Sequence, residues 1–546
     1  MFDELKQILK GDIAFDEATL KKYSRDASLF EIRPAAVVFP KDAEDLGSLV
    51  GWIAKNKTQN PKLSLSARAG GSDMTGGPLT ESIVVDFARY FNRIKEVGQD
   101  YAIVEPGVYY RDFEKETLKY GLLMPSFPAS REMCAIGGMV ANNAGGEKTL
   151  SYGKVTDFVL ELKAVLADGH EYVFGPLLPQ ELAQKIQGPG LEGDIYRKLW
   201  DIVQNNATLL AQAKPKVSKN SSGYYLWDVW DGQRFNLAKV LVGSQGTLGL
   251  ITEVKFKLIK PNPSSRLLVI FLKQKDLAHL GEVVNHILQF KPETFESYDD
   301  HTLKLAIRFI PAFVKRLKSN VISLGLSFLP EFGMILGGGL PKLVLTAEFT
   351  GQSDGEVLQR AQTAQASLDE FNVRSRITKS EFEASKYKII RRESFNLLRQ
   401  KVKNRQTAPF IDDIVVKPNV LPDFLPQLEA ILKTYPTLIY TIAGHVGDGN
   451  FHIIPLMDLS DPHAAQIIAE LSDKVYDLVF KFKGSMSAEH NDGLIRGPYL
   501  AKMFGPEVYR LFEQTKKIFD PLNIFNPGKK VDTDQKFAVE HLKHGS

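Results

Sequence analysis

The chain has 546 residues, 44% hydrophobic and 24% charged, an ordinary balance for a globular protein. Its 68 Lys+Arg and 65 Asp+Glu leave a net charge of +3, too small an excess to make nucleic acid the main partner. The single cysteine, Cys134, excludes an internal disulfide, a cysteine-type zinc site and an iron–sulfur cluster of the chain's own, and fits a reducing, cytoplasmic location.

Residues 1–33 read as a helical segment, polar on one face, and Met1–Lys10 lacks the apolar core of a signal peptide. From Ala35 short apolar runs alternate with glycine turns: strands at Val37–Phe39, Leu63–Ser66, Ile83–Asp86, Leu160–Leu166 and Leu250–Leu258, and a helix over Asp42–Lys55. Pro261–Ser265 marks a boundary. Beyond it, strands at Leu267–Phe271, Val344–Phe349, Leu438–Ala443 and Phe451–Ile454 alternate with helices near Asp276–Leu288, Val357–Phe371, Pro422–Leu432 and Ala464–Phe482. That is the pattern of one antiparallel sheet covered by helices. Val321–Leu340 is strongly apolar, but Pro330, Glu331 and its glycines would break a spanning helix. It reads first as a buried insertion, and second, given Lys315, Arg316 and Lys318, as a membrane-surface or partner-docking loop. The tail from Lys529 reads as charged and mobile at its end.

Four glycine-rich segments lie in the first half: Arg68–Gly77, Ala135–Gly146, Tyr152–Asp157 and Val242–Gly249. Glycine permits positive φ and close approach of backbone N–H groups to an anion. None of the segments ends in the Gly-Lys-Ser/Thr of a P-loop, and none is a GxGxxG opening a helix. Any one alone could be a tight turn; together they point to a backbone cradle suited to a pyrophosphate.

These loops, with Pro128-Ala129-Ser130, Leu166–Gly169, Gly444–His452, Glu489–Asn491 and Asn526-Pro527-Gly528, occur in an order that resembles the FAD-linked oxidoreductases of the vanillyl-alcohol-oxidase-type flavin fold. The similarity is to the D-lactate, glycolate and D-2-hydroxyglutarate dehydrogenase branch, and Ser487–Arg496 is similar to members fused to an iron–sulfur domain. The resemblance implies an α+β fold: a helical segment (1–33), a two-subdomain FAD-binding PCMH-type domain (34–262), a ferredoxin-like substrate domain with a metal site (263–490), and a C-terminal segment (491–546) returning to the FAD domain. It assigns Arg68, Ala69, Gly70, Gly71, Ser72, Asp73 and Thr75 to the flavin pyrophosphate, and Pro128, Gly137, Gly138, Asn142 and Gly145 to the isoalloxazine side. Ile251 would contact the adenine half, and Asn526 would reach the ring. Ser72 stands where a covalent histidine would be, so the flavin is expected to be non-covalent. Gln245 stands where the family commonly has Glu.

His445 and His452 flank a Gly-Asp-Gly turn that can fold two strand arms together, and Glu489-His490 adds a carboxylate and a third imidazole. Two histidines and a carboxylate suit an open Zn²⁺ or Mn²⁺ site, although spacing alone leaves a hydrogen-bonded set equally open. The resemblance makes His445, His452 and Glu489 the metal ligands, usually of zinc, and leaves His490 as the base. Arg392 aligns with the arginine that binds the substrate carboxylate, whereas Arg391 reads as a solvated helix residue. Two departures bear on the substrate's distal end. Phe410–Asp413 lacks a lysine that relatives have, and Ile454 stands where close relatives have asparagine.

The expected reaction is oxidation of a D-2-hydroxy acid, like D-2-hydroxyglutarate or D-lactate, by hydride transfer to flavin N5. Electrons would leave to an external acceptor: an iron–sulfur subunit, a flavoprotein carrier, a quinone or dioxygen. Two alternatives stand beside it. One is a flavin subunit of a glycolate-oxidase-like complex; the other is a flavin transferase resembling alkyl-dihydroxyacetone-phosphate synthase. Peripheral membrane contact and oligomeric state stay open.

Overall fold

The computed structural model describes residues 4–300, 302–304, 339–401, 405–436 and 438–543, with backbone alone for 392–401. The first sheet orders its strands Asp12–Ala14, Ala36–Phe39, Ile83–Asp86, Leu65–Arg68. The last three are parallel, and Ala36–Phe39 and Ile83–Asp86 are buried throughout, as continuous apolar strands covered on both faces should be. The helix Ala43–Asn56 covers them. Asp42 caps it by accepting the Asp45 N–H, and Leu46, Leu49, Val50 and Ile53 form its buried stripe.

A second sheet is five-stranded and antiparallel, in the order Ile94–Val97, Tyr101–Val104, Leu250–Lys257, Val159–Val165, Glu171–Phe174. The third, among the described residues, has eight antiparallel strands. Its path runs Arg374–Ile377, Ser264–Leu272, Leu343–Gly351, Thr294–Asp299, Ile439–His445, Asn450–Met457, Gln406–Thr407, with Ile414–Val415 also paired to Asn450–Met457. The antiparallel sheet with covering helices expected beyond residue 265 is therefore present. Helices Leu280–Leu288 and Leu421–Lys433 pack together on it, and Pro422 lies so close to Gly281 that a Cβ there would meet its Cδ at 2.3 Å.

Two local expectations change. Residues 1–33 are not wholly helical: Asp12–Ala14 pairs antiparallel with Val37–Phe39 as an edge strand. The strand expected at Leu63–Ser66 runs Leu65–Arg68 and delivers Arg68 directly into the first glycine loop. The charged tail is packed down through Lys543: Lys529 and Lys530 are buried, Gln535–Glu540 is a helix, and Phe30 bridges to Leu542. Lys530 Nζ donates to Asp492 Oδ2 at 2.7 Å and to Gly223 O at 3.0 Å, which counters part of the cost of burying its charge. The apolar stretch Val321–Leu340 lies outside the described residues except for its last two. Among the described residues no helix is long and apolar enough to cross a membrane.

Candidate functional site

The first glycine loop leaves the strand Leu65–Arg68. Gly71 has φ +68°, and a Cβ on Gly70 would stand 2.6 Å from Met133 O, so the loop lies tight against the 133–135 segment. Asp73 organises it: its Oδ2 accepts from Thr75 N (2.9 Å), Thr75 Oγ1 (2.8 Å) and Gly77 N (2.8 Å). Among the described residues the amides of Gly70, Gly71 and Ser72 donate to no protein acceptor, the state required of an anion cradle.

Asn142 Nδ2 donates to Asp73 Oδ1 at 2.8 Å and joins the second loop to the first. Gln245 ties in the last loop: its amide nitrogen lies 3.2 Å from Thr75 Oγ1 and 3.3 Å from Asn142 Oδ1, and its Oε1 accepts the Gly493 N–H at 2.8 Å. Asn526 is a clamp as well, donating to Gly77 O and Gln245 O and accepting from Ser66 Oγ. Asn143, Gln245, Asn491 and Asn526 all hold positive φ, a conformation that amide side chains tolerate better than most. A Cβ on Gly138 would meet nothing within 4 Å, so open space adjoins the second loop. The loop set therefore fits a bulky anionic cofactor.

The second loop also reaches the histidines: a Cβ on Gly145 would lie 2.9 Å from Glu489 Oε2. His445 ends the strand Ile439–His445 and His452 lies in Asn450–Met457; the turn Val446–Asp448 closes the hairpin, with Ala443 opposite His452. Glu489 and His490 follow the long helix Ala464–Lys481. Their backbone N–H groups both donate to Asp413 Oδ2, at 2.9 and 2.7 Å, and Asp413 itself holds φ +67°.

The imidazoles converge. His445 Nε2, His452 Nε2 and His490 Nε2 lie 3.2, 3.4 and 4.0 Å from one atom, Glu489 Oε1. Each opposite ring nitrogen faces a carboxylate: His445 Nδ1 to Glu296 Oε1 at 2.7 Å, His452 Nδ1 to Asp412 Oδ1 at 3.1 Å, His490 Nδ1 to Asp412 Oδ2 at 2.8 Å. The other Glu489 oxygen faces the buried ammonium of Lys219 at 3.5 Å, and Lys219 also reaches Asp448 Oδ2 (3.2 Å) and Gly146 O (3.1 Å). Asp413, His452, Glu489 and His490 each bring a donor atom within 4.8 Å of one another. Asp413 is already occupied by those amides and the Ser487 hydroxyl, which leaves the imidazole nitrogens and Glu489 as the donors that can hold a cation.

Electrostatics agree. Burial opposes ionising Glu489, but Lys219 and His445 outweigh it and hold the carboxyl well below its ordinary range. Burial likewise opposes an ionised Asp412, and His490 and His452 overcome it. Burial lowers His452, but Asp412 and Glu489 raise it to about 10. His490 is also raised, with burial outweighed by Asp413 and Asp412. Protons here compensate a cluster of carboxylates, the place a divalent cation takes when ligands deprotonate.

Of the residues expected at the site, His445, His452, Glu489 and His490 are brought together, and Asp73, Thr75, Asn142, Gly145 and Asn526 lie in the loop network. Others stand apart. The Arg68 guanidinium turns to Arg25 O (2.8 Å) and Tyr23 O (3.3 Å) of the N-terminal segment. Ile251 is buried in the core of the five-stranded sheet. Gly137 packs on Pro106, and Pro128 begins the turn whose carbonyl accepts the Arg131 N–H. The Arg392 side chain lies outside the described residues. Arg391, expected to be solvated, instead reaches Glu296 and lies 3.3 Å from His445 Nδ1. Asp412, Glu296 and Lys219 carry no functional signal in the sequence, where the run Asp412-Asp413 shows only the lack of a lysine.

Residues 34–175 match the FAD binding domain family, and residues 264–530 match the FAD linked oxidases, C-terminal domain. The chain is 30% identical over 536 residues to D-2-hydroxyglutarate dehydrogenase of Pseudomonas putida, covering 95% of this chain and 50% of that protein. It thus spans about half the length of the first curated relatives it matches. It is 24% identical over 551 residues to glycolate oxidase subunit GlcD of Bacillus subtilis, covering 98% of both chains. In structure it is similar to p-cresol methylhydroxylase, with a TM-score of 0.67 at 15% identity over 97% of this chain and 95% of that one. The chain thus carries an FAD binding domain followed by an FAD-linked oxidase C-terminal domain, on the α+β fold shared with p-cresol methylhydroxylase.

Proposed function

We propose that the protein oxidises a D-2-hydroxy acid to the 2-oxo acid. The hydride leaves C2 for non-covalently bound FAD, the hydroxyl proton leaves for His490, and the electron pair passes on to an external acceptor. The observation that carries this reading is the convergence of three imidazole Nε2 atoms on Glu489 Oε1, directly beside Gly145 of the second loop. Bound FAD would supply the hydride acceptor, and a divalent cation, zinc by preference for this donor set, would polarise the substrate hydroxyl.

His445, His452 and Glu489 would hold that cation, and His490 would take the proton at Nε2. Lys219 keeps Glu489 ionised and turned toward the imidazoles. Arg392 is the proposed carboxylate anchor. Pro128, Gly137, Gly138, Asn142 and Gly145 form the flavin side, and the 68–75 loop receives the pyrophosphate. Residues 34–262 and 491–546 make the flavin part, and 263–490 the substrate part. The names of the relatives favour D-2-hydroxyglutarate, D-lactate or glycolate as the acid, and one of them is named a subunit, which favours an acceptor on a separate chain.

The test is an anaerobic visible spectrum of the purified protein titrated with each of these acids, with and without chelator. Bleaching of the flavin band by one acid, lost on chelation and restored by Zn²⁺, is the expected result. A flavin band that no acid bleaches would remove the reading and leave the family intact.

A further inference from the structure

Lys529 follows the turn Asn526-Pro527-Gly528, in which Gly528 holds φ +71°. That turn is clamped to both ends of the first glycine loop. Asn526 N donates to Leu65 O at 2.7 Å, in the strand that enters the loop, and Asn526 Nδ2 donates to Gly77 O at 2.9 Å, where the loop ends. Lys529 is 4% exposed, and among the described residues its ammonium has neither a hydrogen-bond acceptor nor an ion-pair partner. Its neighbour Lys530 has both. The charges that act on Lys529 are Asp73, inside the loop, and Asp26, whose neighbour Ala27 donates its N–H to Asp73 O at 2.9 Å. Burial outweighs both carboxylates and pulls the ammonium down to about 8.

We propose that Lys529 is the cation that binds the pyrophosphate of the flavin cofactor at the first glycine loop. This rests on the flavin role proposed above. The free amides of Gly70, Gly71 and Ser72 suit an anion, but Asp73 and Asp26 lie in the same region. Thr75, Gly77 and Asn142 occupy the Asp73 oxygens, and Asp26 Oδ2 is buried without a partner. A pyrophosphate there meets carboxylates as well as amides and needs a cation to offset them. The other cations nearby are engaged. Arg68 donates to Arg25 O and Tyr23 O, Arg25 pairs with Glu31, and Lys543 donates to Ser28 O. An unpaired buried ammonium opposes folding, and a bound anion turns that cost into affinity.

The experiment compares full-length wild type, Lys529→Met and Lys529→Arg, each stripped of flavin with chaotropic salt. It reads the melting temperature of the empty protein, FAD affinity by fluorescence quenching and ADP affinity by competition with FAD. Lys529→Met is expected to weaken FAD and ADP alike, by about 10–100-fold, because both carry the pyrophosphate. The empty Lys529→Met protein should melt no lower than wild type, since it loses a charge that nothing pairs. A lysine that serves only the fold gives the opposite sign: lower melting of the empty protein. Lys529→Arg keeps the charge and should hold both ligands to within about tenfold of wild type.

Unchanged FAD and ADP affinity in Lys529→Met overturns the inference alone, as does an empty Lys529→Met that melts well below wild type. Weaker FAD with unchanged ADP would move Lys529 to the flavin ring and overturns it too. A wild type that binds neither FAD nor ADP overturns the flavin reading and this inference together. A wild type that binds FAD but is bleached by no acid removes the proposed reaction and leaves the role of Lys529 to be decided by the variants.

Discussion

Around the glycine loops the backbone presents the binding groups, and side chains such as Asp73, Gln245 and Asn526 serve to hold it in shape. Around the histidines the side chains are the binding groups, and each is aimed by a second side chain from a distant part of the chain. The two regions should therefore fail differently. A backbone cradle fails when a Cβ enters a space only glycine leaves, whereas the imidazole cluster fails when a charge or a proton is misplaced while the fold survives.

The largest effect expected is at Gly146, where a Cβ would stand 2.0 Å from Phe127 O. Gly146→Ala should cost about 4 kcal/mol or more and yield colourless or insoluble protein, read from the visible spectrum of the purified fraction. Full flavin content would break the contrast on the backbone side. Next comes His490→Ala, which should keep the flavin band and bound Zn²⁺ but slow flavin reduction by the best acid by about 10²–10⁴-fold in stopped flow. An unchanged reductive rate removes His490 as the base.

A smaller change is expected from Asn526→Ala, which strips partners from Ser66 Oγ, Gly77 O and Gln245 O. It should lower stability by about 2–3 kcal/mol and weaken flavin retention, measured by thermal melting and fluorescence of released flavin. The smallest concerns Cys134, whose thiol burial pushes up to about 12. A thiol so raised is almost wholly protonated at pH 8.5, so its native-state alkylation by iodoacetamide at that pH should be about 10³-fold or more slower than that of a free thiol near 8.5. A rate within tenfold of a free thiol's would reveal an accessible thiolate beside the loops.

The same difference decided what could be read from sequence. Glycine is visible because positive φ and close approach select it locally, so Gly71, Gly145 and their neighbours announce the loops. The histidines and Glu489 are visible because their types and spacing suit a cation. Asp412, Glu296 and Lys219 carry no local mark: they become partners only when the strand Thr294–Asp299 pairs beside the hairpin and the 219–223 segment is buried against it. Arg391 reads as solvated for the same reason, since adjacent positions on a helix point in different directions and only packing brings Arg391 to Glu296. The edge strand Asp12–Ala14 is too short for alternation to show, and the packing of Lys530 is invisible because its partner Asp492 lies far away in sequence.

The close approach of Gly145 to Glu489, and the bond of Lys219 to Gly146 O from beside that carboxylate, make the two regions one thermodynamic unit. A ligand that rigidifies the 144–146 turn also restricts Glu489. Linkage then requires reciprocity: by whatever factor a bound flavin changes affinity at the histidines, occupancy of the histidines changes the flavin's affinity by the same factor.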